Sequence, residues 1–337
     1  QRQMCIRDRL DPDRNTIQMD IFPTNVIDNI VVSKSFTAEL PADFTGGVVD
    51  IETKDFPEEK TFRLNFSGGI NPSMHFNKNY LTYQGGKTDW LGYDDGTRAS
   101  PTAGRTDIPQ FGDVIGNPNG AKGQEYQTLL RGFNKTLGAT KQPSFMDYGV
   151  SLSFGNQIAR PKVTWGYNAA LTYKNDTEFY QDAQFNLFAK PIDSNKNELE
   201  ALQIQTGDYG VNSVLLGGLA GIAMKTKSSK FKLNFIHLQN GESKSGIFDY
   251  ESSNLGANFQ AKQYNLEYSQ RGLTSVLLSG SHFIKGNAWE INWKLAPTRS
   301  SIEDPDIRFT RFRLPNNSIG PEAVSYTHLT LPTNREV

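Results

Sequence analysis

The feature that most constrains this chain is a two-residue alternation of apolar and polar side chains, repeated in segment after segment. Successive residues of a strand point to opposite sides of its sheet, so this period selects strands with two chemically different faces. In residues 163–174 the odd positions are Val163, Trp165, Tyr167, Ala169, Leu171 and Tyr173; the even ones are Thr164, Gly166, Asn168, Ala170, Thr172 and Lys174. Trp289, Ile291, Trp293 and Leu295 alternate with Glu290, Asn292 and Lys294. Tyr148, Val150, Leu152 and Phe154 alternate with glycine and serine, and Phe62, Leu64 and Phe66 with Arg63, Asn65 and Ser67. Weaker versions run through 214–224, 231–238 and 264–283, the last losing phase near Arg271-Gly272. About seven strands are legible in this way.

The connections alternate as well. Short ones fall at 157–161, 225–229 and 285–287; long ones at 71–144, 175–209, 241–260 and from 301 onward. An up-and-down antiparallel sheet with tight turns at one end and large loops at the other gives this pattern. Outer-membrane barrels have that asymmetry, with apolar faces outward and polar faces inward. A closed barrel satisfies every backbone group without water, which an open sheet in lipid does not. Strands of a soluble β-sandwich also alternate. A sandwich core, however, wants one consistently apolar face and short loops, whereas loops of roughly 20 to 70 residues are ordinary in such barrels.

Composition excludes several classes. Lys+Arg number 35 against 36 Asp+Glu, so no polycationic surface points to a nucleic acid. The longest apolar stretch, 214–224, contains three glycines and is far short of the roughly 20 residues a membrane-spanning helix needs. One cysteine excludes an internal disulfide framework and a four-cysteine zinc site.

The two ends read as foreign to the rest. Residues 1–9 (Q-R-Q-M-C-I-R-D-R) match the translation of a common transposase-based sequencing adapter, and residues 324–333 match its reverse complement in one frame. Residues 1–9 and 324–337 are therefore expected to be adapter-derived. Without them Lys+Arg falls from 35 to 31 and Asp+Glu from 36 to 34, and Cys5 is lost. The expected gene-derived window is 10–323, cut from a longer reading frame.

Residues 20–54 read D-I-F-P-T-N-V-I-D-N-I-V-V-S-K-S-F-T-A-E-L-P-A-D-F-T-G-G-V-V-D-I-E-T-K. Residues 29–34 and 48–53 are β-branched runs of strand length, Gly46-Gly47 permits a turn between them, and Pro23 suits the first turn of a short helix over 24–27. The stretch resembles the end of the plug domain of TonB-dependent outer-membrane receptors. Pro23, Ile27, Asp28, Ile30, Val32 and Lys34 fit the first half of that pattern, with Asp28 in place of the commoner Glu. Gly46, Gly47, Val49, Ile51, Thr53 and Lys54 fit the second half. The loop 35–45 lacks the family's usual Gly-Pro and Tyr-Gly pieces. Residues 89–98 (D-W-L-G-Y-D-D-G-T-R) and 304–308 (D-P-D-I-R) also resemble segments of a large-looped branch of that family.

The resemblance implies a mainly β protein: the C-terminal part of a small α/β plug over 10–59, then the N-terminal part of a transmembrane antiparallel β-barrel over 60–323. Some seven strands of a barrel of about 22 would be present. It further implies active uptake of a scarce solute (a metal chelate, a cobalamin-like compound or a glycan) at the cell outer membrane of a Gram-negative-type bacterium. The partners would be outer-membrane lipid and a TonB-type energy-transducing complex, whose contact segment would lie upstream. A β-rich solute-binding surface module without transport activity is the alternative.

No catalytic constellation is legible. His75, His237 and His282 are far apart and lack a nearby nucleophile pattern, so they read as surface or lumen side chains rather than as the base of a barrel hydrolase. No cofactor or metal site is expected. Asp94-Asp95-Gly96 reads first as a turn and second as a cation site without the EF-hand spacing. Arg63, Asn65, Asn168, Lys174, Lys232, Glu290, Asn292 and Lys294 are expected to face the lumen, and Trp165, Trp289 and Trp293 to face outward toward an interfacial girdle. Trp90 and Tyr93, in the first long loop, are candidate ligand-capture aromatics, with turn packing as the plainer role.

Overall fold

The computed structural model describes residues 2–4, 27–36, 48–53, 59–102, 105–191, 195, 197–252, 259–284, 288–314, 325–329 and 334–336. Near the N-terminus lie β1 (Arg2–Met4), β2 (Ile27–Ser33), β3 (Val48–Thr53) and β4 (Thr61–Gly69). A long connection then carries β5 (Leu81–Thr82), α1 (Phe111–Ile115), α2 (Ala121–Gly132) and β6 (Thr140–Lys141). There follow β7 (Asp147–Ala159), β8 (Thr164–Gln184), β9 (Leu187–Ala189), β10 (Glu200–Lys225), β11 (Ser229–Ser252) and β12 (Phe259–Ile284). β13 (Trp289–Leu295), β14 (Thr298–Leu314), β15 (Ser325–Leu329) and β16 (Asn334–Glu336) complete the order.

The protein is mainly β, dominated by one antiparallel sheet of eleven strands. Its path runs β4-β7-β8-β10-β11-β12-β14-β15, each strand beside its neighbour in sequence order as tight antiparallel turns require. β9 continues the β8 position along β10, and β13 and β14 follow one another along β12 on either side of Ala296-Pro297. All seven segments read from alternation are strands of this sheet. Separately, β3 pairs with both β1 and β2, and β5 pairs with β6. β1, β15 and β16 fall in the terminal segments that resemble adapter. They pair through backbone groups, which carry no sequence signature, at strand edges that accept any extended chain.

The connections correct the sequence reading. β10 and β12 are 26 residues long and β11 is 24. At about 3.3 Å per residue they reach some 80 Å, well beyond the 9–11 residues that cross a bilayer core. Regions expected as loops (175–209, 241–260 and 301 onward) are largely paired strand. Ladder bonds need no apolar side chain, so pairing runs on where alternation fades. The phase loss near Arg271-Gly272 is no break in β12, whose pairing with β11 runs without a shift: buried Leu266 and Tyr268 lie on one face and buried Leu273 and Leu277 on the other, while the irregularity there belongs to β14. Tyr268 pairs with Asp306 and Gln270 with Glu303, so Asp304-Pro305 bulges opposite one residue of β12. Proline has no N–H to give the ladder and settles at such a bulge. Ile27 begins β2 rather than ending a helix. Pro23, Gly46, Gly47 and Lys54 lie outside the described residues. Asp28, Ile30 and Val32 lie in β2, Lys34 follows it, and Val49, Ile51 and Thr53 lie in β3. Ile30, Val31 and Val32 are exposed.

Register shows how the two faces differ. One row of directly opposed residues is Gly155, Asn168, Gly221, Asn234 and Leu277; another is Gln157, Gly166, Ala223, Lys232, Ser279 and Lys294. This is the polar face. The alternate rows carry Ile158, Trp165, Met224, Phe231 and Trp293, then Tyr167, Ile222, Leu233, Leu278 and Leu295. This is the apolar face, and over its half nearest the short turns it is bare: Leu171 and Ile222 are each 53% exposed. On the polar face Asn168 and Lys232 are each 7% exposed. The same face also buries Leu219, Ile236, Leu238, Leu273 and Leu277, so what distinguishes the two faces in this half is that one is covered and the other leaves large apolar side chains bare.

The β4–β7 connection covers the upper half of the apolar face. Tyr80 and Leu81 pack on Phe179, with Met74, Ala139 and Ile247 around them. The contact is close because Gly210 lies beneath: a Cβ there would stand 2.3 Å from Leu81 O.

Candidate functional site

Two neighbouring rows of the polar face, above the bare band, form a cleft of about 640 Å³. One row places Glu178, Val211, Lys244 and Glu267 side by side; the next places Tyr180, Tyr209, Gly246, Asn265 and Phe309. Gly246 contributes no side chain between Tyr209 and Asn265, and the Phe248 ring takes that space as the floor: a Cβ there would stand 2.4 Å from Phe248 Cε2.

An irregularity in β8 shapes the wall. Tyr180 pairs with Tyr209 and Ala183 with Gly207, so two residues of β8 oppose Asp208 alone. Asp182 takes a positive φ of 51° there, and its N–H donates to Asp208 Oδ1 at 3.1 Å. Bulges re-aim neighbouring side chains. Here the Tyr180 and Tyr209 rings stack at 4.7 Å with planes 18° apart, and Phe185 closes on Tyr209 at 5.8 Å and on Phe248 at 5.7 Å.

The charge in the cleft is mainly negative. Tyr180 Oη donates to Glu178 Oε2 at 2.7 Å, and Lys244 Nζ pairs with Glu242 Oε1 at 2.6 Å. The Tyr180 hydroxyl is pushed up to about 12, first by its bond to Glu178 and then by burial. Burial raises the Glu267 carboxyl; Lys244 opposes the rise, and Glu242, Asp304 and Asp306 add to it. A partly buried acid in an aromatic-walled cleft is a binding-site signature.

A second constellation pins the β4–β7 connection. A 3-10 turn, Asp89–Leu91, ends at Gly92, whose φ is 78°. Arg98, with no exposed side-chain surface, donates to Asp89 Oδ1 at 2.8 Å and Oδ2 at 2.5 Å, to Asp94 Oδ1 at 2.9 Å and to Tyr83 Oη at 3.3 Å. Its guanidinium lies 3.9 Å from the Tyr268 ring centre. Burial opposes the Arg98 charge, but the Asp89 bonds outweigh it and hold the proton more firmly than usual. Arg308 binds Asp306 through two bonds of 2.5–2.6 Å and also donates to Thr136 O. Tyr83 sits between the two arginines at 5.6 and 6.0 Å, its hydroxyl pushed up to about 12 by burial against the pull of Arg98. The motif-like segments 89–98 and 304–308 thus meet at one buried network.

The eight polar residues chosen from the sequence all lie on the polar face. Asn168 and Lys232 are buried. Asn65 donates to Ser151 Oγ at 3.3 Å, Lys174 pairs with Asp176 at 2.7 Å, and Asn292 donates to Glu290 at 3.1 Å. Arg63 and Lys294 are exposed. None of the eight lines the aromatic cleft. Trp165, Trp289 and Trp293 lie together on the apolar face. Trp90 is 61% exposed, whereas the Tyr93 hydroxyl stands 2.7 Å from His237 Nε2.

The Asp94-Asp95-Gly96 carboxylates serve the turn. Asp94 accepts from Gly96 N–H, and Asp95 from the Thr97 and Lys87 N–H groups; the Thr97 side chain first, and then those N–H groups, hold the Asp95 carboxyl down to about 2. Among the described residues no group of His, Cys, Asp and Glu could hold a metal ion. His75 is buried rather than at a surface or in a lumen. Asn71 N–H donates to its Nδ1 at 2.8 Å, and its Nε2 lies 3.0 Å from Thr177 O and 3.1 Å from Asp147 Oδ1. His282 Nε2 accepts from Trp293 Nε1 at 3.0 Å.

The aromatic cleft and the arginine network escaped sequence reasoning because each assembles from residues far apart in the chain. The nearest signal was the clustering of Tyr and Glu at 178–180. Compared with protein-family models, curated proteins and solved structures, the chain gives no match.

Proposed function

We propose that this chain carries part of a TonB-dependent outer-membrane receptor that takes up a scarce solute. The bare apolar band is the observation that carries the reading: large apolar side chains are exposed along one face, while the other buries asparagine and lysine together with Ile236, Leu238, Leu273 and Leu277. In β11, Leu233 and Phe235 are 42% and 43% exposed, and the intervening Asn234 is 4% exposed. Water penalises that arrangement and lipid favours it, provided the polar face lines a closed interior. On β11 the bare band runs from Phe231 to His237, roughly 20 Å along the strand, near the height of an outer-membrane apolar belt.

In this reading the sheet from β4 to β14 is one arc of a wider barrel, and β2 with β3 belongs to a plug within it. The exposed Ile30, Val31 and Val32 suit a sheet that is covered by such a wall. Solute binding from outside would be followed by a pull from a TonB-type complex on the plug, opening a path along the polar face. Transport of this kind changes no covalent bond and needs no nucleophile.

The test is lipid-borne carbene photolabelling of the chain in outer-membrane vesicles. Labels are expected on Trp165, Leu171, Ile222, Leu233 and Phe235, with none on Asn168, Lys232 or the cleft. A protein that stays out of the membrane fraction, or takes label equally on both faces, refutes the receptor and leaves the β-rich solute-binding surface module.

A further inference from the structure

We propose that the aromatic cleft between the rows of Glu178 and Tyr180 binds a cationic ligand with a flat apolar part. As an account of what travels through the protein, this rests on the receptor reading; as an account of what the cleft binds, it stands on the cleft alone.

The shape comes first. At about 640 Å³ the cleft is the size of a small-molecule site, and its wall is a ready-made stack. Tyr180 and Phe185 remain 38% and 49% exposed although each is already packed against Tyr209. Bare aromatic surface braced by a neighbouring ring, here inside a cleft, is surface on which a flat ligand can stack.

Charge then selects among ligands that stack. The lining carries Glu178, Glu242 and Glu267 against a single lysine, and Lys244 is already paired with Glu242. A net charge of about −2 repels anionic rings. It also favours a cation over a neutral polyol. Hydroxyls give carboxylates hydrogen bonds but leave the mutual repulsion among Glu267, Glu242 and the Asp304–Asp306 pair in place. A cation relieves that repulsion and at the same time gains from the negative faces of Tyr180 and Phe185. Glu178 lines the cleft, and a carboxylate that accepts one bond from Tyr180 retains lone pairs for a further donor.

The experiment uses the full chain in a non-ionic polyoxyethylene detergent, with ligand-observed NMR and calorimetry. The probes are benzyltrimethylammonium, benzenesulfonate and maltotriose. Benzyltrimethylammonium should bind with a Kd at or below the millimolar range, at least tenfold tighter than either of the others. Glu178→Gln and Glu267→Gln should each weaken it about fivefold to tenfold, and Tyr180→Leu comparably. Wild-type affinity should also fall severalfold between 20 and 300 mM NaCl, a readout that needs no variant to fold. Equal binding of the sulfonate, preferential binding of maltotriose, salt-independent affinity, or no binding of any probe would each overturn the proposal. Photolabelling of the bare apolar band is read separately, so a membrane protein with an empty cleft and a soluble protein with a cation site are distinguishable results.

Discussion

Replacing Arg98 with methionine tests whether the arginine network docks the β4–β7 connection. The side chain has no exposed surface, while Asp94 and Asp89 are 10% and 27% exposed. Removing one partner of a buried ion pair costs about 3–5 kcal/mol, mostly from the charge left behind. Asp89 recovers some water, which places the loss near the low end, about 3 kcal/mol. The stacking of the guanidinium on Tyr268 is lost at the same time and is not independent of that figure. Three kilocalories is roughly two decades in an opening equilibrium. Hydrogen exchange of the Leu91, Gly92 and Tyr93 amides, which donate to Thr88 O and Asp89 O, should therefore quicken about a hundredfold, with β10 and β11 protection unchanged. Arg98→Lys keeps the charge but not the four-way geometry and should fall between the two. Exchange within threefold of wild type in Arg98→Met, or full rescue by lysine, would show that the network does not hold the segment.

Gly241→Ala should undock the same segment without touching a charge. Its Cβ would stand 2.5 Å from Gly92 Cα and 2.6 Å from Tyr268 Oη, a clash expected to cost about 1–3 kcal/mol and to raise exchange at Gly92. Leu233→Arg should destabilise the membrane-inserted protein by roughly 2–4 kcal/mol in a bilayer refolding titration, while Glu251→Arg, in the exposed upper part of β11, should be near neutral. For Glu267 the sign follows from its raised folded-state value. The folded state holds that proton more tightly than the unfolded chain, so the associated stability is full below the ordinary glutamate value of 4.5 and is lost as pH rises through the folded value. Glu267→Gln should accordingly melt higher than wild type at pH 8 and lose that advantage at pH 4.

What was legible in the sequence was the lower half of the sheet. Residues 163–174 announce a strand because large apolar side chains stand on one face and small or polar ones on the other. In 241–252 the alternation fades. The upper half of that face is covered by polypeptide, and close docking there favours Gly241, Ser243 and Ser245 over large apolar side chains. The pairing is unchanged, but the pattern that reports it is gone. The polar face was read residue by residue because its period is local. Arg98 and Arg308 were quoted within motifs, yet their meeting at Tyr83 joins residues over 200 positions apart, which no spacing rule encodes. The bulges at 181–182 and 304–305 were invisible for a related reason: a bulge is a relation between two strands.

The docked connection also bears on how deep such a chain would sit. Its lower rim is where Tyr93 meets His237 and Gly92 O accepts from Gln239 at 2.6 Å, and bare apolar surface ends at that rim. Above it, Phe179, Leu266 and Tyr268 are apolar or aromatic and almost wholly covered. In a bilayer the segment would act as a depth stop. Lifting it would bare Phe179, Leu266 and Tyr268 among the small and polar residues of the upper rows, and the strands would meet the membrane with an edge no longer set by the segment.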